Sequence, residues 1–88
     1  MIRAVERLVS CFDKQTEELA KELPLRGITL RQLQEIFSVP ADDPMYDSFL
    51  IEPQHAQQLQ PFLSEPLDLE HCECFVDCDA IEVDAQLN

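Results

Sequence analysis

Residues 71–84 read HCECFVDCDAIEVD. Three cysteines, one histidine and several carboxylates crowd this stretch, and it admits three readings: a metal site, half of a disulfide framework, or a β-strand with one acidic face. As a metal site, His71, Cys72, Cys74 and Cys78 offer four donors of the kind zinc favours. Structural zinc sites, however, draw their cysteines from knuckles with turn residues between them, commonly as two separated pairs. No Gly or Pro occurs from Leu67 to Asn88, and Phe75, Val76, Ile81 and Val83 are β-formers. A strand would also turn His71 away from the cysteines. As a disulfide, Cys72 and Cys74 lie two apart on one strand and would be strained as a pair. A bridge from Cys11 to either requires their strands to be neighbours. The strand reading puts Cys72, Cys74, Val76, Cys78 and Ala80 on one face, small and mostly apolar, as free cysteines in a core are. The other face then carries His71, Glu73, Phe75, Asp77 and Asp79, an aromatic ringed by charge.

The rest of the chain frames that choice. Its 88 residues, 45% hydrophobic, predict a single domain over 1–88. A chain of this size buries roughly 60–65% of the surface its unfolded form exposes, so the core is modest. No apolar run approaches the roughly 20 residues of a membrane span. The N-terminal MIRAVERLVSCFDK lacks the apolar stretch and cleavage site of a secretory signal. A cytoplasmic protein is therefore expected, and in a reducing compartment its four cysteines are expected as free thiols.

The net charge is −12, unevenly placed. All six basic residues (Arg3, Arg7, Lys14, Lys21, Arg26, Arg31) lie in the first 31 positions, where five acids accompany them. The remaining 57 residues hold thirteen Asp or Glu and no Lys or Arg. Such a field repels nucleic acid and anionic membranes and attracts basic proteins. Catalysis finds little support. His55 and His71 have no adjacent nucleophile motif, and one glycine, Gly27, cannot build a phosphate-cradling loop. No enzyme activity, metal or cofactor is expected.

Along the chain, residues 2–12 alternate as a strand, with Val5, Val9 and Cys11 on one side and Glu6, Ser10 and Phe12 on the other; Arg7 breaks the apolar set. Asp13–Thr16 is a turn. EELAKELPL favours helix by propensity, although Leu19, Leu23 and Leu25 sit at even spacing and Pro24 interrupts a helix. ITLRQLQEIF predicts a helix over about 29–38. Thr29 and Gln32 have capping-box spacing, Leu30, Leu33, Ile36 and Phe37 share a face, and Pro40 ends it. SFLI reads as a short strand, and Pro53 opens a helical turn near 53–60.

Four fragments in order, CFDKQTEEL, SVPADDPMYDSFLI, LQPFLSEPLDL and ECFVDCDA, resemble the cloacin immunity family over roughly residues 11–80. The family pattern has FDK-x-TE near the N-terminus, VP with acids before a short strand, LQP-aromatic followed by an aliphatic-D-aliphatic step, and E-aromatic-FV near the C-terminus. The resemblance implies an α+β fold, a four-stranded antiparallel sheet with one short helix, in which EELAKEL pairs in a hairpin with residues 2–12. It implies a bacterial antitoxin that binds and neutralises the basic ribonuclease domain of a colicin-type toxin, as a monomer or weak homodimer without a cofactor. Carried over position by position, the partner face includes Phe12, Asp13, Glu22, Glu73 and Phe75, with Asp77 beside them on the acidic strand face. Leu19 stands where the family places an aromatic, and Ser48 at a third-strand position used to choose among toxins. AIEVDAQLN replaces the family's aromatic-rich C-terminal end, and the loop between hairpin and helix is shorter. A small acidic interaction domain or nucleic-acid mimic with a non-toxin partner is the alternative.

Overall fold

The computed structural model describes residues 2–83, with side chains described for residues 5–79. Its strands are β1 (Ile2–Asp13), β2 (Leu19–Pro24), β3 (Phe49–Leu50) and β4 (Cys72–Val83). They form one antiparallel sheet in the order β2-β1-β4-β3. Two short helices, α1 (Leu30–Phe37) and α2 (Pro53–Leu59), and a 3-10 turn at Gln60–Phe62 complete an α+β fold.

The stretch 72–83 is a strand, and its alternation is as expected. Cys74 and Val76 are buried, with Cys72 and Cys78 half-buried on the same side. The side chain of Ala80 lies outside those described. His71 is in the turn before β4 rather than on the strand, where its Nδ1 meets Asp68 Oδ2 at 2.9 Å. β4 pairs with β1 from Asp13↔Cys72 to Ile2↔Val83.

The helical propensity of EELAKEL gives way to pairing: residues 19–24 form β2 along the outer edge of β1. Propensity differences amount to only a few tenths of a kcal/mol per residue for Glu, Leu and Lys, too little to outweigh a ladder and a closed turn. The turn is built by Asp13, whose Oδ1 accepts the backbone N–H of Gln15 at 2.8 Å and of Thr16 at 3.0 Å. Glu17 takes the left-handed conformation (φ 62°) that lets the chain reverse. The register shifts between Cys11↔Lys21 and Phe12↔Leu19, leaving Ala20 unpaired in a β-bulge.

Among the described residues, all the buried apolar bulk but Leu8 lies on one side of the sheet. Val9, Cys11, Leu23, Cys74 and Val76 point there and meet Leu33 of α1, Leu59 of α2, and Met45 and Ile51 from the connections. α1 begins as its sequence predicts: Thr29 Oγ1 accepts from Gln32 N at 3.1 Å, and the Gln32 side chain accepts from Thr29 N at 2.8 Å. It stops at Ser38, left-handed at φ 55°, before Pro40 is reached. Its buried face is shifted from the apolar stripe. Leu33 is fully buried, Leu30 is exposed, and Gln34 is buried instead. The Gln34 amide donates to Ala41 O at 3.0 Å and Asp43 O at 2.8 Å, so the loop after α1 is tied to the helix.

Arg7 interrupts the apolar alternation of β1 for a related reason. Its guanidinium donates to the carbonyls of Met45 and Pro44, the latter at 2.9 Å. Met45 is fully buried and left-handed (φ 55°), and its N–H donates to Asp43 Oδ1 at 2.8 Å. These contacts fix the segment that leads into β3.

Candidate binding face of the sheet

With the helices on one side, no element of the described residues covers the other side of the sheet. The register assembles it row by row. Leu8 faces Asp77, Ser10 faces Phe75 and Phe12 faces Glu73 across β1 and β4. Ser10 faces Glu22 and Phe12 faces Leu19 across β1 and β2, and Leu50 faces Phe75 across β3 and β4. Seven of the eight residues singled out in the sequence meet here: Phe12, Leu19, Glu22, Ser48, Glu73, Phe75 and Asp77. Leu19 joins because the bulge at Ala20 flips the parity of the β2 end.

At the centre, the rings of Phe12 and Phe75 meet edge to face, with centroids 6.0 Å apart and planes at 75°. This is the arrangement that the ring quadrupoles favour. Both rings are half-buried, while Leu19 and Leu50 are 49% and 48% exposed at the two sheet margins. Carboxylates frame them. Among the described side chains, the strand positions of this face hold Glu6, Glu22, Glu73, Asp77 and Asp79 and no Lys or Arg. Glu6 and Asp79 are directly opposite each other, a like-charge pair that isolated sheets avoid.

Asp77 has a role the sequence did not reveal. Its Oδ2 accepts the Ser10 hydroxyl at 2.6 Å and its Oδ1 accepts the Ser48 hydroxyl. One carboxylate thus joins β1, β4 and the entry to β3, and Ser48 serves first as its partner. Ser10 is buried because Asp77 satisfies it. Asp13 departs from its expected place. It ends β1 and turns its carboxylate into the hairpin loop, where the N–H groups of Thr16 and Gln15 hold its pKa below the usual carboxylate range. Its neighbourhood still adjoins the face: Phe12, Asp13, Lys14, Glu17 and Glu73 line a hollow at the turn end. Leu50 was missed, although the alternation in SFLI, with Phe49 inward, was the signal that could have found it.

Elsewhere, Asp68 is held down by its bond to His71, and Lys21 is held up by Glu65. Both pairs are exposed and lie off the open face. A larger hollow of about 490 Å³ lies against α1, lined by Leu30, Arg31, Gln34, Glu35, Ser38, Val39 and Ala41; none of the face residues reaches it. Among the described residues, no three His, Cys, Asp or Glu side chains converge where a metal ion could be held.

The model of a domain of unknown function (DUF7683) matches residues 6–77. No curated protein matches the chain. The match runs from Glu6 on β1 to Asp77 on β4 and so takes in every face residue with a described side chain but Asp79. The chain belongs to this DUF7683 family.

Proposed function

We propose that the chain is a protein-binding module that receives a basic partner on its open sheet face, and that the partner is the ribonuclease domain of a bacteriocin-type toxin, neutralised in the cytoplasm. The observation that carries this reading is the composition of the face: an edge-to-face aromatic pair and two exposed leucines inside a frame of carboxylates, with no cation at its described strand positions. Aromatic anchors within a polar rim are where binding energy concentrates. The one-signed charge would raise the on-rate of a cationic partner and disfavour nucleic acid. An interface of standard size takes roughly 800 Å² from each partner, about one-eighth of the 6141 Å² this chain exposes. Three of the fragments that resemble cloacin immunity proteins supply Phe12 and Leu19, Ser48 and Leu50, and Glu73, Phe75 and Asp77, so the resemblance falls on this face. The role asks for binding and occlusion, not catalysis.

The test is titration of the purified chain against the basic ribonuclease domain of a colicin-type toxin, read by calorimetry and by ribosomal RNA cleavage. Nanomolar binding that abolishes cleavage is expected. Phe75→Ala should weaken binding by about 30-fold or more, as a hot spot does. Glu73→Lys should slow association most at low salt. Asp77 is unsuited to this test, because its replacement would leave Ser10 without a partner. Failure to inhibit the nuclease removes the toxin reading. Capture of a basic protein without nuclease activity, with the same two variants impaired, would keep the face and replace the partner.

A further inference from the structure

On the core side of the sheet, a second feature lies behind the aromatic pair. Cys11 and Cys74 are opposite each other in the β1–β4 register, and their Sγ atoms are 3.0 Å apart. The rung itself is of the close type. Lys14 N donates to His71 O at 3.0 Å, which marks the 14–71 rung as hydrogen-bonded. Hydrogen-bonded and non-hydrogen-bonded rungs alternate, so 11–74, three rungs on, is non-hydrogen-bonded, with Cα atoms about 4.5 Å apart. That falls inside the roughly 4.4–6.8 Å range that disulfides span. Cys72 faces Asp13 and Cys78 faces Arg7 across the same ladder, so neither has a cysteine opposite.

We propose that Cys11 and Cys74 form a redox-convertible pair, a dithiol that closes to an intramolecular disulfide across β1 and β4 when the folded protein meets a disulfide oxidant such as oxidised glutathione. The step balances by exchange. One cysteine thiolate attacks the oxidant and displaces one thiol; the second cysteine attacks the mixed disulfide and displaces the other. The Sγ–Sγ bond forms, the oxidant's S–S bond breaks, and the two electrons and two protons leave on two thiol molecules. Both residues are buried, and burial pushes both thiols up, so exchange is slow at neutral pH and quickens as pH rises. The bond would tie the rung between Ser10–Phe75 and Phe12–Glu73, and so fix the sheet directly behind the two aromatic rings. This inference is independent of the partner proposed above.

The experiment exposes the reduced, folded chain to oxidised glutathione at pH 8, then denatures and alkylates it. Intact mass should show the loss of two hydrogens, with two of the four cysteines alkylated, and the peptide map should join residues 11 and 74. Closing a link between residues 63 apart should raise Tm by on the order of 10 °C, reversed by dithiothreitol. The Cys72→Ser/Cys78→Ser variant should convert as the natural chain does, and Cys11→Ser should not convert. Four alkylated cysteines after prolonged exposure, glutathione adducts without a cross-link, a bond to Cys72 or Cys78, or disulfide-linked dimers would each overturn the assignment.

Discussion

Replacing Arg7 by Met keeps the aliphatic stem on β1 and removes only the guanidinium that holds the carbonyls of Pro44 and Met45. A hydrogen bond to a charged group contributes about 1.5–3 kcal/mol when buried and less when exposed. One of these bonds is half-buried and the other exposed, so the two together contribute about 2 kcal/mol. Met45, left-handed, stays tied to Asp43 Oδ1 and buried in the core, so its backbone relaxes only slightly and returns only a small part of that loss. Urea unfolding should therefore show Arg7→Met less stable by about 1.5–2 kcal/mol, with Tm lower by about 6–16 °C. Arg7→Lys should recover about half, because an ammonium is a point donor and cannot span both carbonyls as the planar fork does. Amide exchange at Met45, whose N–H is bonded to Asp43 Oδ1, should quicken in Arg7→Met while Val76 in the central ladder stays protected. A midpoint unchanged within 0.5 kcal/mol, or a lysine variant as stable as the natural chain, would refute the role given to this side chain.

Asp13→Ala should lower Tm by a few degrees at neutral pH, by releasing the Gln15 and Thr16 N–H groups. Because the folded pKa of Asp13 is depressed, its contribution is complete above the ordinary value of 3.8 and is lost as pH falls through the folded pKa; thermal melts of the two proteins should converge there, and a constant gap down to pH 2 would count against the cap. A double-mutant cycle of Phe12→Ala and Phe75→Ala, followed by urea unfolding, should give a coupling of about 0.5–1.5 kcal/mol, the worth of an edge-to-face pair. Additive losses would mean that the rings do not touch in solution.

The alternation in CECFVDC was legible because β4 is central and one of its faces is buried, so burial enforced a period of two at Cys74 and Val76. The capping box at Thr29 was legible because all its atoms lie within four residues. β2 was not legible from its composition. It is an edge strand in which Leu23 alone is buried, so its apolar signal is faint and the helix-forming residues around it speak louder. The roles of Arg7, Gln34 and Asp77 depend on carbonyls and hydroxyls that arrive from elsewhere in the chain, up to 67 positions away for Ser10 and Asp77. No local spacing encodes such partners. The open face was found for its aromatics and acids, yet two of its members, Ser48 and Asp77, turn out to be bonded to each other before any partner arrives.

The unpaired Ala20 acts as a frameshift in the side-chain code of the hairpin. Lys21 and Leu23 point to the helices, and by simple alternation Leu19 would join them; after the bulge it stands beside Phe12 at the margin of the open face instead. The turn still closes through Asp13, and β1 keeps its register with β4 on the far side. A relative with one residue more or fewer in this hairpin would therefore show a different side chain next to the aromatic pair while the rest of the sheet stayed in place. In this fold the edge of the face can be retuned by chain length alone, without a substitution at any residue that touches the core.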